Sequence, residues 1–105
     1  MKKVLIAGIR KTKLDRFHTW LHDEYQVMRA RDADELKRFC SRQDLIVIDE
    51  IGDRGGIVVK DLSLSGQTIL VTTPVLAGNG IPEITWPFTE QQFLDKVRSL
   101  LENQP

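Results

Sequence analysis

Three short stretches of this chain are apolar at every position: Val4-Leu5-Ile6-Ala7, Leu45-Ile46-Val47-Ile48 and Ile69-Leu70-Val71. A strand with one wet face alternates apolar and polar residues. A strand that is apolar throughout has both faces out of water, as in a parallel sheet covered by helices on each side. Each run stops sharply, at Gly8, at Asp49-Glu50 and at Thr72-Thr73-Pro74. With 105 residues there is room for one such sheet and one core, so a single domain over 1–105 is expected, with about 102–105 as a flexible tail.

Helical spacing fills the intervals. Leu14, Phe17, Trp20 and Leu21 recur on one side of a first helix, with Asp15, Arg16, Asp23 and Glu24 turned away. Tyr25 to Met28 reads as a short second strand. Asp32 and Glu35 form a capping box ahead of Leu36, Phe39 and Cys40. Beyond the glycines Gly52, Gly55 and Gly56, Ile57 to Leu64 is a weak helix, because Val58 and Val59 are β-branched. From Pro74 to Pro82 two glycines and two prolines fall within nine residues, poor material for the helix that would follow a fourth strand. Ile84 and Trp86 suggest a last strand closed by Pro87. Thr89 and Gln92 cap a final helix that faces inward through Phe93, Val97, Leu100 and Leu101.

The alternation predicts an α/β fold with a flavodoxin-like, doubly wound, five-stranded parallel sheet of order 2-1-3-4-5, its fourth helix short or missing. Such sheets carry their chemistry at the carboxyl ends of the strands. The residues to weigh are therefore Gly8 to Lys11, Asp49 to Gly56, Thr72 to Pro74 and Trp86-Pro87.

At those four places the chain resembles the receiver (CheY-like response-regulator) domains of two-component signalling. The resemblance is of pattern and extends over nearly the whole sequence. Asp49, closing Asp44-Leu45-Ile46-Val47-Ile48-Asp49, stands where receivers carry the phosphoacceptor. Thr72 stands at their Ser/Thr position, and Thr73 where a small residue is usual. Trp86-Pro87-Phe88 matches Lys-Pro-Phe with tryptophan in place of lysine. Gly8-Ile9 replaces the acidic pair after the first strand, and Glu83 occupies the place of a switch aromatic. The resemblance implies that a receiver's Asp accepts a phosphoryl group with help from Mg²⁺ and the lysine. Without a carboxylate at positions 8 and 9 and a cation at 86, several kcal/mol of roughly additive charge stabilisation is missing, on the order of thousands-fold in rate. No phosphorylation of Asp49 is expected, and no cofactor, Mg²⁺ included. Arg10 or Lys11, from the loop beside it, is expected to neutralise Asp49 instead.

The other polar residues offer less. His18 and His22 have i, i+4 spacing but no third ligand accompanies them, so no metal site is expected. Cys40 reads as a small core residue. The basic cluster Arg10, Lys11, Lys13 and Arg16 lacks phosphate-loop spacing. No thiol follows the first strand and no nucleophile–base pair is visible, so no enzyme is expected. Lys plus Arg and Asp plus Glu are 15 each, a net charge of zero that supplies no field for nucleic acid or anionic lipid. The four-residue run Val4–Ala7 is too short for a membrane span or a signal-peptide core, and a single cysteine suits a reducing compartment; a cytoplasmic location is expected.

Three functional readings follow. The first is a receiver-like domain, not phosphorylated, that binds a protein partner or a fused output domain through Val75, Leu76, Ile81 and Trp86, with a homodimer through the final helix as one form. The second is an atypical response regulator phosphorylated on Asp49 by a histidine kinase. The third is a flavodoxin-like domain binding a small ligand or anion at the basic loop after the first strand.

Overall fold

The computed structural model describes residues 1–8, 10–49, 68–72 and 81–102. In chain order these form β1 (Lys3–Ala7), α1 (Lys11–Leu21), β2 (Gln26–Ala30), α2 (Ala33–Phe39) with a 3₁₀ turn at Cys40–Arg42, β3 (Leu45–Ile48), β4 (Thr68–Val71) and α3 (Glu90–Glu102). The four strands are parallel and lie in the order β2-β1-β3-β4.

The three apolar runs become β1, β3 and β4, and their alternate residues divide between two cores. Val4, Ile6, Leu45, Val47 and Leu70 meet Leu14, Phe17 and Leu21 of α1 and Phe93, Leu94, Val97 and Leu101 of α3. Leu5, Ala7, Ile46, Ile48, Ile69 and Val71 meet Ala30 and Leu36 on the other face. A helix on each side is why no position in β1 after Lys3, or in β3, tolerates a polar residue. The strand order is the doubly wound one, and β2, read from sequence as Tyr25 to Met28, is set one to two residues later.

The fifth strand is shorter than its sequence suggested. Only Glu83 bridges to Val71, through Val71 N–H to Pro82 O at 3.1 Å and Ile84 N–H to Val71 O at 2.9 Å. Pro82 has no N–H to offer a ladder, and Pro87, after a cis Trp86–Pro87 peptide, has none either. The bridge lies against β4, the place of a fifth strand in the order 2-1-3-4-5. The weak helix read at Ile57 to Leu64, the Pro74 to Pro82 segment up to Gly80, and the end of the tail at 103–105 lie outside the described residues.

Both capping boxes form in part or in full. Glu35 N–H donates to Asp32 Oδ1 at 2.9 Å, while the Glu35 carboxylate takes the Arg31 N–H. At α3 the exchange is reciprocal: Gln92 N–H donates to Thr89 Oγ1 at 3.1 Å and Thr89 N–H to Gln92 Oε1 at 2.8 Å. Thr89→Ala is expected to lower stability by about 1 kcal/mol, read as a shifted urea midpoint at unchanged slope. A loss under about 0.3 kcal/mol would mean that α3 is held by its buried face alone.

Candidate functional site

The carboxyl ends of β1, β3 and β4 converge on one buried carboxylate. Asp49 follows β3 directly and is wholly inaccessible to solvent. Its N–H donates to Ala7 O at 2.8 Å, extending the ladder one residue past the strand and fixing the side chain over the sheet's end. Arg10, which precedes α1 with an extended backbone, turns its guanidinium back onto that carboxylate. Nε donates to Oδ2 at 2.8 Å and Nη2 to Oδ1 at 2.6 Å, a two-pronged pairing that satisfies both oxygens. Thr72, buried after β4, donates its hydroxyl to Oδ1 at 2.6 Å.

Burial alone would push the Asp49 carboxyl up. The Arg10 fork, the Thr72 hydroxyl and the Arg10 charge outweigh it and hold the group below the ordinary carboxylate value. The Trp86 indole N–H is buried, has no hydrogen-bond partner of normal geometry among the described residues, and adds a weaker pull in the same direction. A carboxyl whose pKa is lowered in the folded state stabilises the fold above its unfolded value and ceases to do so as pH falls through the folded one. The stability advantage of the native protein over Asp49→Asn is therefore expected to be full above pH 3.8 and to shrink progressively below it. Urea titrations of both proteins from neutral to acid pH test this. An advantage that survived unchanged to the lowest pH would mean Asp49 contributes by shape, not charge.

The tryptophan in the place of lysine is half-buried in an aromatic stack. Its ring centroid is 3.9 Å from that of Phe88 and 5.6 Å from that of Phe17, at interplanar angles of 25° and 19°. Lys13 places its ammonium 3.9 Å from the indole centroid, with the Arg16 guanidinium farther out at 5.8 Å. The cation over the ring comes from α1, one helical turn past Arg10.

Two of the four charges in the basic cluster read from sequence are thus engaged at the site, and Arg16 is exposed. Arg10 holds Asp49 and Lys13 covers Trp86, whereas Lys11 is exposed on the first turn of α1 and makes no ion pair with Asp49. Gly8 is buried at the end of β1, and its N–H donates to Ala30 O. Glu83 is exposed and contributes only its backbone bridge. Ile81 is partly buried against the α2-side core. Ile9, Glu50, Asp53, Thr73, Val75 and Leu76 lie outside the described residues. Lys13 was read from sequence only as a member of the basic cluster and not as a partner of Trp86, although its i, i+3 relation to Arg10 and Arg16 puts all three along one side of α1.

Each of the two histidines has a separate partner. Arg29 Nε donates to His18 Nδ1 at 3.1 Å, so that nitrogen carries no proton, and burial and the Arg29 charge lower the His18 pKa. His22 Nδ1 lies 3.4 Å from Asp23 Oδ1. Among the described residues, no three His, Cys, Asp or Glu side chains gather where they could hold a metal, and no helix is long and apolar enough to cross a membrane.

No family model matches the sequence, and no curated protein does. Solved structures do. A CheY-like response regulator receiver domain protein from Methanospirillum hungatei JF-1 superposes with a TM-score of 0.83, over 97% of this chain and 94% of its own, at 21% identity. The fold is that of a receiver domain. The signal receiver domain of a putative Luxo repressor protein from Vibrio parahaemolyticus shares the receiver fold with a TM-score of 0.80 and 18% identity, over 96% of this chain and 90% of that one. So does a putative pilus assembly protein (cpaE) from Burkholderia thailandensis E264, with a TM-score of 0.78 and 19% identity, over 98% and 100%. Within the receiver fold, Asp49 is at the end of the third strand, Thr72 at the end of the fourth, and Trp86 beyond the bridge that takes the place of a fifth.

Proposed function

We propose that this chain is a signalling domain of the receiver fold that is not phosphorylated and acts by contact with another protein, whether a separate partner, a fused output domain or a second copy. The observation that carries the reading is the Arg10 fork on Asp49. A carboxylate that accepts a phosphoryl group needs a free oxygen to attack with and a mobile or divalent cation to receive the added charge. Here both oxygens already accept charge-assisted hydrogen bonds from one covalently tethered monocation.

Among the described residues, the remaining donors fit Mg²⁺ poorly. Gly8 brings no side chain, Asp49 is engaged on both oxygens, and the residue at 86 is an uncharged indole covered by Lys13. Hard divalent cations need several oxygen ligands, and bringing one beside the Arg10 guanidinium adds like-charge repulsion. The occurrence of the receiver fold in a putative pilus assembly protein agrees with a use outside response regulators. The balanced net charge favours a protein partner over nucleic acid or a membrane surface.

Incubation with acetyl phosphate and Mg²⁺, followed by intact-mass measurement, tests the reading. No adduct is expected. A phosphorylated species that disappears in Asp49→Asn would make the domain an active response regulator.

A further inference from the structure

The opposite end of the sheet carries a second feature that the Asp49 site does not use. A cavity of about 500 Å³ opens where β2, the amino end of β1 and the 3₁₀ turn meet. Its apolar side chains are Met28 and Phe39, since the neighbouring Val27 packs on the α1 and α3 side of the sheet, and Met28 is 44% exposed, a large hydrophobe left in water beside the groove. Lys3, Arg38 and Arg42 rim it, and no Asp or Glu lines it. In a chain of zero net charge, Lys3, Arg38 and Arg42 leave an excess of positive charge around the cavity, offset in part by Asp44, whose carboxylate accepts the Lys3 N–H at 2.7 Å just outside the lining.

Two backbone and side-chain features say what shape the occupant has. β2 is the edge of the sheet. Gln26 N–H donates to Lys2 O and Ala30 O accepts from Gly8 N–H, so in this parallel ladder the even-numbered residues face β1. Val27 and Arg29 therefore turn their N–H and C=O groups to the open side, a short template for an added strand. Gln43, 8% exposed, lines the same cavity. Its Nε2 donates to Phe39 O at 3.2 Å, while its Oε1 is buried with no donor. A buried amide oxygen without a donor is costly unless a ligand N–H supplies one.

We propose that this groove binds an extended acidic peptide segment of a partner, added as a strand beside β2. The backbone would pair with Val27 and Arg29, an N–H would reach Gln43 Oε1, apolar side chains would cover Met28 and Phe39, and carboxylates would meet Lys3, Arg38 and Arg42. The inference rests on the reading of the domain as a protein-contact module and names the partner's chemistry. It lies at the amino ends of the strands, away from Asp49, so a phosphorylated Asp49 would overturn that reading and leave the titration below interpretable by itself.

The test is an NMR titration of the whole chain with the peptide acetyl-Glu-Val-Glu-Val-Glu-amide, with acetyl-Lys-Val-Lys-Val-Lys-amide and AMP as comparisons. Saturable shifts confined to the Val27 and Arg29 amides and the Gln43 side-chain amide are expected with the acidic peptide. Combined Arg38→Glu and Arg42→Glu substitutions, both on exposed side chains, are expected to weaken it by at least about tenfold with an unchanged circular dichroism spectrum. The proposal is overturned if the acidic peptide causes no saturable shift, if its shifts map elsewhere, or if the lysine peptide binds equally well. It is also overturned if AMP occupies the groove and the acidic peptide does not, which would make this a nucleotide site.

Discussion

Replacing Arg10 with alanine is expected to lower the unfolding free energy by about 3 kcal/mol, at the lower end for a broken buried pair because the arginine itself is partly exposed. The loss comes less from the missing attraction than from what it leaves behind, a carboxylate buried in the native fold that keeps, among the described residues, only the Thr72 hydroxyl as a donor of normal geometry. Arg10→Lys should recover only part of it, since an ammonium cannot reproduce the two parallel bonds to Oδ1 and Oδ2. In an Asp49→Asn background the same Arg10→Ala change should cost under about 1 kcal/mol, because the stranded charge is gone. Urea titrations of the four proteins give the coupling directly. Equal costs in both backgrounds would mean that Arg10 acts through packing and that the pair is incidental.

The second large effect is expected at Phe17. Its ring is wholly buried and stacks on Phe93 at 4.7 Å between centroids, with Trp86 and Phe88 at 5.6 and 6.3 Å. Phe17→Ala should cost about 4 kcal/mol, the range for a large ring removed from a core that cannot collapse around the void. Trp20→Ala, from a half-buried position on the same helix, should cost clearly less. Because Phe17 is a wall of the stack that holds Trp86, the substitution should also change tryptophan fluorescence in the folded state. If Phe17→Ala proved no worse than Trp20→Ala, the aromatic cluster would be looser than the ring distances imply.

The parts of the fold that were plain in the sequence are those written by burial. A run such as Leu45-Ile46-Val47-Ile48 has only one comfortable place in a protein of this size, between two helical layers, and three such runs nearly determine the sheet. The caps at Asp32 and Thr89 were equally plain, since a side-chain oxygen three residues ahead of a glutamate or glutamine is a local device. The last strand was less so. Ile84 and Trp86 carry the right alternation, but pattern alone does not weigh the donors lost at the flanking prolines, and one bridge results.

At the site, sequence could place a cation beside Asp49 but could not choose between neighbours. Arg10 and Lys11 differ by one position, and the choice turns on where α1 begins. Arg10 precedes the helix and folds back, while Lys11 is in its first turn and points out. Helix starts are among the least legible features of a sequence. The contact of Lys13 with Trp86 was not legible for a related reason: it depends on the tryptophan lying flat against Phe88, a tertiary arrangement. The groove at β2 left no motif at all, because its residues come from β1, β2, α2 and the 3₁₀ turn and are brought together only by the fold.

What this domain can do depends on whether Asp49, held by Arg10, can be addressed from outside. Beryllofluoride with Mg²⁺ imitates a phosphoryl group on a carboxylate and requires the same free oxygen and the same metal. Amide spectra recorded with and without it should be superimposable at Asp49, Thr72 and the end of β1. Shifts localised to those amides, and absent from Asp49→Asn, would show that the fork opens and that the carboxylate still carries out the receiver's chemistry.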